Sequence, residues 1–143
     1  MERSEIHEGM RELLAIRVSC QESCSVQGQK YRICMIPFTG EAYGDYFCGH
    51  IIGIGTDTQK FREGQPDRLS ARYMLEGKDY TGADCRIFIE NSLYDEEGWH
   101  PMIVTDSRAL ADWEEKDLIA AVDGIEGGVM VRIFEKALLN AAR

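Results

Sequence analysis

No apolar run in this 143-residue chain is long enough to span a bilayer, which argues against a membrane-spanning helix. The stretch from Met1 to Met10 is charged and lacks an apolar core, so it does not read as a signal peptide. A soluble, cytoplasmic protein is expected. Basic residues are also scarce, with 16 Lys and Arg against 25 Asp and Glu and a formal charge of −9. Such a surface repels phosphate backbones, and no local Lys/Arg cluster reverses it, so nucleic acid and anionic membranes are excluded as expected partners.

Chemistry-bearing motifs are missing too. The five cysteines (Cys20, Cys24, Cys34, Cys48, Cys85) contain no CxxC pair, and the three histidines (His7, His50, His100) are far apart in sequence. They read as reduced thiols packed as small apolar groups, so no metal and no cofactor is expected. Gly49-His-Ile-Ile-Gly53-Ile-Gly55 has the wrong order for a dinucleotide fingerprint. There is no Gly-x-Ser-x-Gly elbow, no P-loop lysine and no His-Glu-x-x-His. Internal repeats, low-complexity linkers and a second domain are likewise lacking.

What is present is alternation. Between Arg68 and Glu76, Leu69, Ala71, Tyr73 and Leu75 share one face, with Arg68, Ser70, Arg72, Met74 and Glu76 on the other. From Asp84 to Asn91, Cys85, Ile87 and Ile89 oppose Arg86, Phe88 and Glu90. Period two is the signature of a strand with one dry face, and the turn-rich Gly77–Gly82 between the runs makes them an antiparallel hairpin. Further alternating runs lie at 11–20, 30–38, 99–105, 116–122 and 128–136. Glycines at 40, 44, 49 and 53 supply the bends a curled sheet needs. Residues 21–28, 55–66 and 91–98 read as polar loops. Asp106 or Ser107 is placed to cap a short helix through Trp113, and the alanine-rich tail 137–143 adds at most a helical turn. The sequence thus predicts one mainly all-β domain over 1–143, with a loose N-terminus at 1–10. Its architecture is an antiparallel β-barrel of about eight strands with one short helical insertion, in preference to a sandwich.

Three segments carry a family resemblance: Phe38 to Gln59, Leu69 to Glu76 and Ile87 to Asn91. Together they resemble a bacterial domain family of unknown function whose members are small barrels of the allene-oxide-cyclase-like kind. The resemblance runs from about Leu13 to Phe134. It rests on a glycine-bearing strand, a Gly-x-Asp loop, an alternating strand carrying Ser70-Ala71-Arg72-Tyr73 and a terminal strand ending in an apolar-acidic pattern. Ser70 stands where that family more often has aspartate. The resemblance implies a barrel and carries no activity with it.

The residues that could hold a ligand follow from the barrel. If the charged faces look inward, Arg72, Glu76, Asp57, Asn91, Arg132 and Tyr73 would line a cavity, with Arg72 gripping an anionic or polar oxygen group bidentately. Glu76 or Asp57, desolvated there, would be the acid or base. The opposing reading makes Arg72 and Glu76 ordinary cross-strand ion pairs on a wetted face, Asp57 a turn residue and Asp106 a helix cap. Two functions stay open. One is a module that binds a small polar or anionic organic molecule inside the barrel. The other is a small acid/base enzyme (isomerase, cyclase or hydrolase-like) using the same cavity. An apolar stripe on the outer wall would make the protein a homo-oligomer.

Overall fold

Backbone hydrogen bonding in the computed structural model, which describes residues 10–93 and 98–136, is almost entirely strand to strand. Nine strands form one sheet: β1 (Arg11–Cys20), β2 (Cys24–Gln27), β3 (Tyr31–Tyr43), β4 (Phe47–Arg62), β5 (Arg68–Asp79), β6 (Asp84–Leu93), β7 (Trp99–Thr105), β8 (Leu118–Ile125) and β9 (Gly128–Glu135). Every pairing is antiparallel. β1 pairs with β9 on one side and with the C-terminal half of β3 on the other, from Cys20↔Phe38 to Ala15↔Tyr43. That second pairing closes an eight-stranded barrel. β2 continues the sheet beyond the end of β1, along the N-terminal half of β3.

The dry faces named from the sequence are the inner wall. Tyr73, Leu75, Ile87, Ile89, Val131 and Ile133 are all buried within one core cluster. β1 contributes Leu14, Ile16 and Val18, and a bulge between Glu12 and Leu14 adds Leu13 to the buried set. Among the described residues no helix is long and apolar enough to cross a membrane.

Several expected boundaries shift. The segment 55–66, expected as a loop, is mostly strand, because β4 runs on to Arg62. Between Ile52 and Thr56 β4 takes four residue steps where β5 takes two between Met74 and Arg72. Two extra residues leave the in–out alternation unchanged, so Gly55, Asp57 and Gln59 still face inward. Gly53, at φ +62°, turns this bulge in the left-handed region that suits glycine. Residues 21–28, also expected as a turn, contain β2, and β6 continues through Leu93. The expected helix is a single 3-10 turn, Ala111–Glu115, with no side-chain cap. Asp106 instead accepts a bond from the Arg86 backbone N–H at 2.8 Å. Most of the expected loose N-terminus and the whole 137–143 tail lie outside the described residues. Of the cysteines, Cys34 and Cys85 are buried as expected, whereas Cys20, Cys24 and Cys48 are exposed.

The two barrel ends differ. One is plugged by Phe47, Leu110 and Trp113, each nearly inaccessible. Beside this plug the buried Asp79 accepts bonds from the Thr81 N–H (2.9 Å) and hydroxyl, the Ala83 N–H (3.2 Å) and the Ser107 hydroxyl (2.7 Å). Ser107 Oγ in turn accepts the Leu110 N–H at 3.1 Å, so the carboxylate ties the β5–β6 turn to the plug. These donors, Thr81 first and then Ser107, hold the Asp79 carboxyl down at about 2. A depressed folded-state pKa contributes stability above the ordinary value of 3.8, and that share is lost as pH falls towards 2. Asp79→Ala should melt lower than the native chain at pH 7. Its melting temperature should then fall less steeply between pH 4 and pH 2, as a calorimetric pH series would show. At the opposite end no described residue forms such a plug above an aromatic floor, where Phe38 and Tyr73 meet edge to face with centroids 5.4 Å apart. A Cβ on Gly55 would sit 2.5 Å from the Phe38 ring and 2.9 Å from Tyr73 Cβ. Gly55→Val should therefore cost about 1–3 kcal/mol of overpacking, read as a melting temperature lower by several degrees.

Candidate functional site: a polar-studded cavity at the open end of the barrel

Above the Phe38–Tyr73 floor lies a cavity of about 210 Å³. Its walls are apolar for the most part, with Val18, Ile36, Leu69, Val129 and Val131 from four strands and Trp99 near the rim. The polar side chains reach it through the register. Asp57 on β4 pairs with Ala71 on β5, which pairs with Asn91 on β6, so all three occupy one inward level. The small Ala71 leaves room between two polar groups whose backbones are about 9–10 Å apart, two strand spacings. Gln59 lies two residues further along β4 on the same face, and Tyr73 lies two residues deeper on β5.

These groups are incompletely satisfied. Gln59 donates to Asp57 Oδ2 at 2.9 Å, while Asp57 Oδ1 has no partner among the described residues. The Tyr73 hydroxyl and Asn91 Oδ1 are buried and also without one. Tyr73 is 5% exposed and Asn91 2%, so water reaches neither freely. Burial pushes the Asp57 carboxyl up, partly opposed by the Gln59 bond, and pushes the Tyr73 phenol up strongly. The thiol of Cys20, at the rim, is shifted up by its partial burial and then by the charge of Asp57. An unpaired buried polar atom costs about 1–3 kcal/mol, and three in one cavity form a set of groups waiting for partners.

The structure divides the residues expected from the sequence. Asp57, Asn91 and Tyr73 come together in the cavity. Arg72, Glu76 and Arg132 do not, because they occupy the outward positions whose neighbours Tyr73, Leu75, Val131 and Ile133 fill the interior. Arg72 bonds Glu90 at 2.6 Å and Glu76 pairs with Arg86 at 2.9 Å, both on the outer wall. Arg132 lies 3.9 Å from Glu12, also on the outer face. The inward guanidinium expected to grip an anion is thus corrected to a cross-strand ion pair. Apolar side chains win the interior because an unshielded charge there costs far more than an exposed pair returns. Gln59 and Cys20 were missed. Gln59 stands at i+2 from Asp57, a signal hidden by reading this segment as a loop. Among the described residues, no group of three or more His, Cys, Asp or Glu side chains is arranged to hold a metal ion.

No family model and no curated protein matches the chain. Solved structures do. A Clostridium acetobutylicum ATCC 824 protein of unknown function superposes with a TM-score of 0.72 at 18% identity, over 90% of this chain and 99% of that one. A β-barrel-like protein from Acinetobacter baumannii AYE gives 0.70 at 13% identity, over 88% and 94%. An enzyme from Penicillium herquei gives 0.70 at 14% identity, over 88% and 92%. The likeness is one of fold. The same barrel is therefore found in bacterial proteins of unknown function and in a fungal enzyme.

The outer ion pairs are exposed and carry little energy. Arg72→Ala and Glu76→Gln should each change stability by less than about 1 kcal/mol in denaturant unfolding. Tyr73→Phe, which removes an unpartnered buried hydroxyl, should leave stability equal or higher. A large loss in Tyr73→Phe would show that the hydroxyl has a partner after all.

Proposed function

We propose that the protein binds a small, neutral, mainly apolar organic molecule bearing hydroxyl or amine donors, within the open end of the barrel. The observation that carries this reading is the convergence of Asp57 Oδ1, Asn91 Oδ1 and the Tyr73 hydroxyl, all unpartnered, in one apolar cavity. Two of the three are acceptors, so they favour a ligand that donates. Among the described residues no Lys or Arg lines the cavity, which favours a neutral ligand over an anionic one. Size points the same way. A 150 Å³ apolar cavity accepts benzene, so about 210 Å³ suits a single substituted ring. Such a molecule would rest on the Phe38–Tyr73 floor and present its polar substituents to Asp57 and Asn91.

A second reading, catalysis, is supported by the upward shift of Asp57 and by the fold shared with an enzyme. A half-buried carboxyl with a raised pKa in a mainly apolar cavity is suited to moving a proton to or from a bound hydroxyl or carbonyl compound. Glu76, outside the cavity, has no part in it.

A thermal-shift screen of monocyclic phenols, diols and aromatic amines should give hits that raise the melting temperature in proportion to the logarithm of ligand concentration. Asn91→Leu and Tyr73→Phe should each weaken such a hit by about 1–2 kcal/mol, while Arg72→Ala should leave it unchanged. Hits restricted to carboxylates or phosphates, or hits lost in Arg72→Ala, would refute the neutral-ligand reading. For catalysis, Asp57→Asn should abolish turnover of a bound compound and retain its binding. Equal turnover in that variant would remove Asp57 as acid or base.

A further inference from the structure

The outer wall carries an unusual band. The register Ile52↔Met74↔Phe88↔Val104 sets four apolar side chains side by side across β4, β5, β6 and β7, facing away from the barrel. Their inward neighbours Ile51, Tyr73, Leu75, Ile87, Ile89 and Ile103 are buried in the core, which fixes the direction of the band. Val104 is 47% exposed, and Met102 (48%) and Ile54 (57%) extend the band at its ends. An apolar patch framed by polar residues is the usual form of a protein contact surface.

The frame says what fits it. One residue pair above the band lies Arg72 on β5 beside Glu90 on β6, and one pair below lies Glu76 on β5 beside Arg86 on β6. The four charges make a square with like signs on the diagonals. A second copy, turned to face the first by a two-fold axis running along the strands, exchanges β5 with β6 and β4 with β7. Each arginine then faces a glutamate, and Ile52 faces Val104. His50, at the β4 end of the lower row, faces Asp106 at its β7 end. The square also sums to zero charge in a chain of −9, so the patch escapes the repulsion that the rest of the surface would impose.

We infer that this face is the contact surface of a homodimer, related by a two-fold axis parallel to β5 and β6. Surface and partner are then one self-complementary patch, as an isologous contact requires. Four strands by about five residues give a footprint on the order of 400 Å² per partner, about half the standard size, so the dimer is reversible. The inference is independent of the cavity and of any ligand.

Sedimentation of the full chain over a concentration series tests it. The native chain should pass from monomer to dimer below about 1 mM. Arg72→Glu with Arg86→Glu, and separately Glu76→Arg with Glu90→Arg, should each weaken association at least tenfold. An equimolar mixture of the two double variants should recover a heterodimer. Val104→Glu, a change at a half-exposed position, should also weaken it tenfold with an unchanged melting temperature. The inference is overturned by a native chain that stays monomeric to about 1 mM. It is equally overturned by a dimer whose affinity none of these variants alters, or by folded double variants that do not associate on mixing.

Discussion

Closure between β1 and β3 is the constraint on which the rest depends. β3 is long enough to serve two partners, giving its first half to β2 and its second half to β1. The pairing removes the free edges that β1 and the second half of β3 would otherwise present and gives each of the eight barrel strands an inside. Inside and outside are then decided residue by residue through period-two alternation. A cavity arises only where that alternation places small or polar groups inward. It does so at one level, Asp57–Ala71–Asn91, above a floor of packed aromatics.

Closure also separates the two kinds of polar group in this chain. Formal charges that pair across strands, Arg72 with Glu90 and Glu76 with Arg86, stay where water screens them. Three of the four buried polar atoms left without partners among the described residues, on Asp57, Tyr73 and Asn91, are inside, where the same screening is absent; the fourth is Arg132 Nε. The barrel therefore keeps its strong ion pairs out of its cavity. An interior with acceptors, one phenol and no cation discriminates by the number of donors a ligand offers, not by its charge. The plugged end shows the contrasting solution: Asp79 is equally buried, yet four donors satisfy it, so it fastens structure and offers nothing to a ligand.

The fold was legible in the sequence because the strongest strands, β5 and β6, alternate over residues 68–76 and 84–91, most of their length, although β5 runs on to Asp79 into the expected turn. Their apolar faces named the interior correctly. The site was legible in part. Asp57, Asn91 and Tyr73 were among the expected cavity residues, but the charged face of the same strand was weighed as a second candidate for the inside, and that placed Arg72 and Glu76 wrongly. Leu69, Ala71, Tyr73 and Leu75 on the opposite face decide the matter, since only one face of a strand in a closed barrel can point inside. Gln59 was obscured for another reason. The two-residue bulge at Gly53 and Ile54 interrupts hydrogen bonding and reads as the start of a loop, although an even insertion preserves the alternation beyond it. Three-dimensional register, which decides that Asp57 and Asn91 share a level, has no one-dimensional signal.

The bulge joins these strands of argument. By spending two extra residues, β4 arcs over Phe38, and it can do so only because Gly55 has no side chain to meet the ring. An uninterrupted strand would bring the next inward side chain against the Phe38–Tyr73 floor and fill the space that Asp57 and Asn91 now border. The same insertion pushes Ile54 out to the edge of the outer apolar band. One local irregularity thus opens room inside the barrel and adds apolar surface outside it. Selection for either property would hold the insertion in place, and its two glycines are the residues through which a change would disturb both.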